Sequence, residues 1–340
     1  MPSPALNAVD FDRVPVIDLA PFAQGGTGRA QVVRAVAQAC ERVGFLVIAG
    51  HGVPAGVIAD VDAQSRRFFD LPIETKLAAQ PPGGVFGRGY TPYGRKALSY
   101  TRGRESPPDL RETYTAVRVD GWADDFKARI GRPELFHDNV WPAGMPEFKA
   151  AWVAYYRALD RLSLQLGQVF AEALGLPTTW FDDKFGQDMN KLMVANYPVQ
   201  DGTPAPGQLR AGAHTDYGSW TIIHQDAAAG GLQACNSAGD WIDVPAIANT
   251  FVVNLGDLMA RWTNRRWVST LHRVANPSAE LAGRARRQSI IFFANPNFDA
   301  RIECIPTCVG PDRPAREPPI TAGEHQHAQL AKALAMKAGA

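Results

Sequence analysis

Leu192-Met-Val-Ala-Asn-Tyr197, Trp220-Thr-Ile-Ile-His224, Gly231-Leu-Gln-Ala234, Thr250-Phe-Val-Val-Asn-Leu255, Trp267–Val274 and Arg287-Gln-Ser-Ile-Ile-Phe-Phe293 decide the fold. The runs are short and most are rich in β-branched or aromatic residues. Turn formers separate them, at Gly230-Gly231, Asn236-Ser237 and Gly256-Asp257. Strands at such spacing predict a β-sandwich or barrel between Lys191 and Cys304. A jelly roll is the version that wraps sequence-distant strands round one interior.

Outward from this core the texture is mixed. Val14-Pro-Val-Ile-Asp-Leu19 reads as a short entry strand, and Gly44–Gly50 as an apolar strand closed by His51-Gly52. Helical spacing covers about 29–42 and 54–69, the second stopped by Pro72. Between 144 and 176, Phe148, Trp152, Tyr155, Leu159, Leu162 and Leu166 share one helical face, a core-packing stripe. A last helix is predicted over 321–337. Residues 77–112, rich in Gly, Pro and Arg, keep no period and read as a long loop of the functional kind. The expected organisation is a helix/strand region with a substrate loop over 1–120, helices plus a jelly-roll core over 121–310, and a C-terminal helix over 311–340, packed as one unit.

The chain has 340 residues, is 46% apolar and carries a net charge of +1, which gives no electrostatic reason to expect nucleic acid or an anionic membrane. Its four Cys (Cys40, Cys235, Cys304, Cys308) are too scattered for a disulfide framework. The segment Met1–Asp10 lacks the charged and apolar regions of a signal peptide, and no apolar run could span a bilayer. These features predict a soluble, cytoplasmic protein of one large domain or two ordinary ones; they leave the oligomeric state open.

His214-Thr-Asp216 carries the chemistry, joined after 55 intervening residues by His272. Alone the pair is weak: with seven His and 34 acidic residues, about 0.7 His-x-acid matches arise by chance. Context strengthens it. In a strand, side chains at i and i+2 share a face, so His214 and Asp216 could grip one ion. His272, in the β-rich Val-Ser-Thr-Leu-His-Arg-Val274, could supply the third ligand. Two His and one carboxylate on one side of an octahedral ion form the ligand set of non-heme Fe(II) oxygenases, with the opposite side open. A satisfied core histidine beside a surface Asp is the bland alternative.

Fifteen residues beyond His272 comes Arg287-Gln-Ser289, again an i, i+2 pair. Arginine offers a planar fork for a carboxylate, and serine a hydroxyl donor. A buried guanidinium needs an anionic partner, and if no protein acid faces it a ligand carboxylate is the natural candidate. On spacing alone a surface Arg beside a strand Ser is an equally open reading, as neighbouring Arg284 and Arg286 illustrate; Arg286 is expected on the opposite face.

Together these residues resemble the isopenicillin N synthase-like branch of the 2-oxoglutarate/Fe(II) dioxygenases. The likeness also takes in Val14–Leu19, Gly44–Val53, Phe68–Lys76, Asn196-Tyr-Pro198, His214–Gly218, Gly230–Gln233, Asn254–Asp257 and Ser269–Val274, in family order. It implies a mainly β core with flanking helices, a double-stranded β-helix (jelly roll). It implies that His214, Asp216 and His272 ligate Fe(II). Arg287 and Ser289 would hold the distal carboxylate of 2-oxoglutarate, with the Tyr197 hydroxyl as helper. O2 would be consumed, succinate and CO2 released, and a small-molecule substrate hydroxylated, desaturated or cyclised, as in secondary metabolism. Each imidazole would need its other nitrogen hydrogen-bonded to fix the ring.

Three alternatives remain open. An oxidase of the same fold would use no 2-oxoglutarate and turn Arg287 and Ser289 on the substrate's own carboxylate. A non-catalytic jelly roll would bind a carboxylate or a metal. A zinc hydrolase would need a general base near the triad, and no compelling one adjoins His214 or His272. Trp220 is large for its place in the family, and core packing is expected over a narrowed pocket. Arg88, Arg95, Lys96, Arg102 and Arg104 make the long loop basic, which reads as solvated charge or as the mark of an anionic substrate. Phe86, Tyr90 and Tyr93 could line a lid there. His325-Gln-His327 reads as solvated.

Overall fold

The computed structural model describes residues 11–81, 87–95, 98, 106–200, 202–228 and 230–338. Its first strands are β1 (Val16–Asp18), β2 (Phe45–Ala49), β3 (Gly89–Thr91), β4 (Glu112–Val117) and β5 (Lys191–Tyr197). There follow β6 (Ala211–His214), β7 (Trp220–Gln225), β8 (Leu232–Cys235), β9 (Trp241–Asp243) and β10 (Phe251–Leu255). The last are β11 (His272–Val274), β12 (Arg287–Ala294), β13 (Arg301–Ile302) and β14 (Ile320–Thr321). Helices α1 (Ala20–Gln24), α2 (Gly26–Arg42), α3 (Ala55–Phe69), α4 (Ile73–Leu77) and α5 (Asp124–Ile130) lead to the long α6 (Pro146–Ala173). The later helices are α7 (Asp257–Trp262), α8 (Ala279–Ala282) and α9 (Ala322–Ala338).

Two sheets face each other. The larger runs β1-β2-β10-β7-β12-β5-β4-β3 and the smaller β6-β11-β8-β9. The larger sheet is buried on both sides, and the period of two along its strands says which side each residue serves. Leu192, Val194, Trp220, Ile222, Phe251, Val253, Ile290 and Phe292 join the core that includes Trp152, Leu159, Leu166 and Phe170 of α6. The alternate residues Ala195, Tyr197, Ile223, Val252 and Ile291 face inward, against Leu232, Ala234 and Val274 of the smaller sheet. Burial on both faces explains why these strands read as nearly continuous apolar runs. This is the double-stranded β-helix with flanking helices.

Trp220 belongs to the helix side. Only 2% exposed, it packs on Phe170, Phe181 and Phe185, and its Nε1 donates to Ser163 Oγ at 3.0 Å. Core packing is its role.

The structure departs from expectation in three places. The 267–274 run shrinks to His272–Val274, because Val268 N donates to Cys40 O (3.1 Å) and Thr270 Oγ1 to Val43 O (2.5 Å). Those bonds dock 267–271 on the α2–β2 junction, where a Cβ on Gly44 would lie 2.3 Å from Val268 O. Residues 77–112 are not one loop: β3 pairs with β4 inside the larger sheet. Strand β4 opens on Glu112, a buried acid that breaks the apolar pattern. Lys76 Nζ (2.9 Å), Tyr90 hydroxyl (2.6 Å) and Asn196 Nδ2 (2.8 Å) satisfy it. Tyr90 is therefore core and Tyr93 exposed, while Phe86, Lys96, Arg102 and Arg104 lie outside the described residues.

Candidate active site

His214 ends β6, His272 begins β11, and the two are directly paired across the smaller sheet. Asp216 is not on a strand with His214, as the i, i+2 argument supposed; it sits in the turn leading to β7. The turn delivers it to the same place. Asp216 Oδ1 lies 3.8 Å from Nε2 of His214 and 3.8 Å from Nε2 of His272, and the three ligand atoms fall within 4.8 Å of one another. Three donor atoms that close together can share a single ion.

Every other atom of the three groups is tied down. Nδ1 of His214 donates to Gly212 O (2.8 Å) and Nδ1 of His272 to Thr270 O (3.0 Å). A carbonyl can only accept, so both Nε2 lone pairs are free for a metal. Oδ2 of Asp216 accepts from Thr221 Oγ1 (2.6 Å) and Asn254 Nδ2 (2.7 Å), which leaves Oδ1 facing the imidazoles. The turn itself is clamped by the start of α7: Asp257 N donates to Asp216 O (2.7 Å) and Gly256 N to Ser219 O (3.0 Å). A Cβ at Gly256 would lie 2.2 Å from Gly218 O, so only glycine allows that approach.

The electrostatics suit a metal. Burial, and then the neighbouring His272, push the His214 imidazolium down to about 3, so the ring is a neutral ligand near pH 7. Burial works to raise the Asp216 carboxyl, but the two imidazoles and the Thr221 and Asn254 bonds outweigh it and hold it below the usual range. Asp257, whose carboxylate accepts from Thr215 Oγ1 at 3.1 Å, is not among the residues lining the chamber. It therefore does not supply the base that a zinc hydrolase would need.

The triad opens on a chamber of about 600 Å³ that also takes in Tyr197, Arg287 and Ser289. The structure thus brings all six expected residues to one space. Arg287 and Tyr197 are cross-strand partners on β12 and β5, and Ser289 pairs with Gln225 of β7. Arg286 points the other way, to Asn196 and Asp70. A protein acid does face Arg287: Asp226 Oδ1 is 3.4 Å from Nη1. That acid is shared, however, with Arg66 Nη2 (2.9 Å) and Gln288 N (2.7 Å). Arg287 also donates to Asp226 O (2.9 Å) and Gln225 Oε1 (2.8 Å), while its buried Nε has no hydrogen-bond partner among the described residues. A buried donor left over at the wall of a chamber fits a ligand carboxylate.

Two further expectations do not hold. Arg88 is not solvated but buried against the chamber, donating to His137 O (3.0 Å) and Leu135 O (2.6 Å). His325 is buried at Tyr217 O, and His327 lines the chamber beside Arg132 and Phe298, so this pair is not solvated either. All four cysteines are free thiols. Thr221 and Asn254 went unmarked in the sequence as supports of Asp216. The signal was there: each is a polar residue in phase with an inward apolar neighbour, Ile223 and Val252.

Two imidazoles and a carboxylate grouped at one side of a jelly-roll chamber define a mononuclear non-heme iron oxygenase. Residues 14–144 match the family described as non-haem dioxygenase in morphine synthesis N-terminal, and 189–296 the 2OG-Fe(II) oxygenase superfamily. The chain is 33% identical over 314 residues to the 2-oxoglutarate-Fe(II) type oxidoreductase hxnY of Emericella nidulans, covering 90% of this chain and 86% of that one. It is 32% identical over 316 residues to validamycin A dioxygenase of Streptomyces hygroscopicus subsp. limoneus (92% and 84% covered). A full-length Neurospora crassa protein, solved in complex with alpha-KG and thymine, has a TM-score of 0.80 and 30% identity over 96% of this chain and 97% of that one. The chain belongs to the 2OG-Fe(II) oxygenase superfamily. It is a 2-oxoglutarate- and Fe(II)-dependent dioxygenase, which sets aside the non-catalytic jelly roll and the oxidase without 2-oxoglutarate.

Proposed function

We propose that this dioxygenase oxidises a C–H bond of a small-molecule metabolite, with His214, Asp216 and His272 holding Fe(II). Arg287 and Ser289, helped by the Tyr197 hydroxyl, hold the distal carboxylate of 2-oxoglutarate. The observation that carries this is the placement of Asp216 Oδ1 at 3.8 Å from both Nε2 atoms, at the wall of the chamber that Arg287 also reaches. Bound there, Fe(II) with 2-oxoglutarate and O2 supplies the oxidising power, with succinate and CO2 as coproducts.

The chain's own part is to bind, orient and exclude water. Gly212 O and Thr270 O fix the imidazoles, and Thr221 and Asn254 fix the carboxylate. Ile223, Leu232, Val274 and Ile291 keep the inner wall apolar. Where the substrate's C–H bond lies against this centre decides between hydroxylation, desaturation and cyclisation. A small-molecule substrate draws support from the chamber's size and from the similar proteins, one solved with thymine and one named for validamycin A. Four unbridged thiols are in keeping with a cytoplasmic setting, and no described helix is long and apolar enough to cross a membrane.

The test is an anaerobic titration of 2-oxoglutarate into the Fe(II)-loaded protein, read by the visible metal-to-ligand charge-transfer band. A saturable band is expected. Iron binding without a band would overturn the assignment of Arg287 to the cosubstrate.

A further inference from the structure

The chamber has a second basic end. Lys191 opens β5 opposite Phe293 of β12, and Phe293 is in turn opposite Thr221 of β7. Two strand spacings, about 10 Å, therefore separate Lys191 from the residue that holds the Asp216 carboxylate. Arg287 pairs with Tyr197, six residues further along β5 and so about 20 Å from the Lys191 level. Lys191 is thus level with the metal-binding groups and remote from the 2-oxoglutarate arginine.

Its surroundings are apolar, with a second cation close by. Lys191 lines the chamber among Val117, Trp122, Met189 and Phe293. Among the described residues no hydrogen bond or ion pair engages its ammonium. Burial, and then the charge of Arg88, push it below the usual lysine range. Arg88 brings a second positive charge that donates to the carbonyl oxygens of His137 and Leu135, with Asp138 acting on it only at a distance. Glu134 is the acid at this end, but it is bonded to Arg132 at 2.8 Å and its side chain is 55% exposed. Lys191 is partly buried in an apolar wall with no counter-charge among the described residues, and an arriving anion offsets the desolvation its ammonium suffers there.

We infer that Lys191 binds a carboxylate of the oxidised substrate, so that the enzyme selects apolar carboxylic acids, holding the acid group at the Lys191 end of the chamber with a C–H bond turned to the metal centre. One ammonium in an apolar wall, beside a guanidinium already committed to carbonyls, matches a monoanion better than a phosphate. This rests on the oxygenase reading of the chamber.

The experiment uses Fe(II)- and 2-oxoglutarate-loaded enzyme held anaerobic. It is titrated with phenylalkanoates from phenylacetate to phenylhexanoate and with their primary amides, following tryptophan fluorescence. Wild type should bind at least one acid roughly tenfold or more tighter than its amide, the scale of a charged hydrogen bond. Lys191→Met should erase that preference and Lys191→Arg should keep it, with the charge-transfer band present in all three proteins. Equal affinity for acids and amides, no saturable binding of any acid, or a preference surviving in Lys191→Met would each overturn the inference. Loss of the band in wild type would instead sink the cofactor assignment beneath it. Loss in Lys191→Met alone would show that Lys191 serves the cofactors, contrary to this inference.

Discussion

Thr221 donates its hydroxyl to Oδ2 of Asp216 at 2.6 Å, and so decides which oxygen the carboxylate turns toward the two imidazoles. Asn254 Nδ2 reinforces it at 2.7 Å. Partners of metal ligands commonly contribute 10–100-fold in metal affinity. Thr221→Val, which keeps the shape and removes the hydroxyl, should therefore weaken Fe(II) binding by about that range, and Asn254→Ala likewise. Competition against a chelator of known affinity reads this directly. Wild-type iron affinity in both variants would mean that Asp216 is held by the turn alone.

Removing a ligand should act differently. His214→Ala and Asp216→Ala are expected to retain no iron and to release no succinate, while the far-UV spectrum stays that of wild type. Asp216→Ala also strands the donors of Thr221 and Asn254, a cost of about 1–3 kcal/mol per buried group. That is small against a core of this size. Iron retained at one equivalent in either variant would dislodge the triad.

Arg287→Ala should chiefly raise the apparent KM for 2-oxoglutarate. Breaking a buried, charge-assisted pair costs roughly 2–5 kcal/mol. Part of the effect will come through Asp226, which loses one of its four cationic or amide partners. Arg287→Lys keeps the charge without the fork and should recover only part of the affinity. An unchanged KM for 2-oxoglutarate in both variants contradicts the role given to Arg287.

Much of this was legible in the sequence because the central strands of the larger sheet are largely apolar on both sides. Leu192–Tyr197 and Arg287–Phe293 announce themselves as runs whatever they pair with. The inward phase of Arg287 and Ser289 then follows from the pleat. Strand β4 was hidden because Glu112 is charged in isolation and becomes compatible with burial only beside Lys76, Tyr90 and Asn196, residues far apart in the chain. The geometry of Asp216 was hidden for a similar reason. Its turn is shaped by bonds from Gly256 and Asp257, some 40 residues downstream. Lys191 and Arg88 belong to the chamber only through strand register and a return of the chain at Leu135–His137, which no local pattern encodes.

The triad should also set the acid sensitivity of the metal-free protein. Burial and then His272 lower the His214 imidazolium from 6.5 to about 3. Below pH 6.5 the unfolded chain takes up a proton at this ring that the folded chain refuses until about pH 3. Throughout that window the unfolded state binds more protons, so stability falls as pH falls. From pH 7 to pH 5 the share due to this one ring is about 2 kcal/mol. His51, His224 and His327 are lowered too, by burial first, and add in the same direction. Urea unfolding of metal-free wild type and His214→Gln at the two pH values isolates the His214 share. The variant should lose less stability on acidification than wild type. Parallel losses in the two proteins would mean that the ring already titrates in the folded state as it does in water, and that the neutral, metal-ready imidazole is not what this fold maintains.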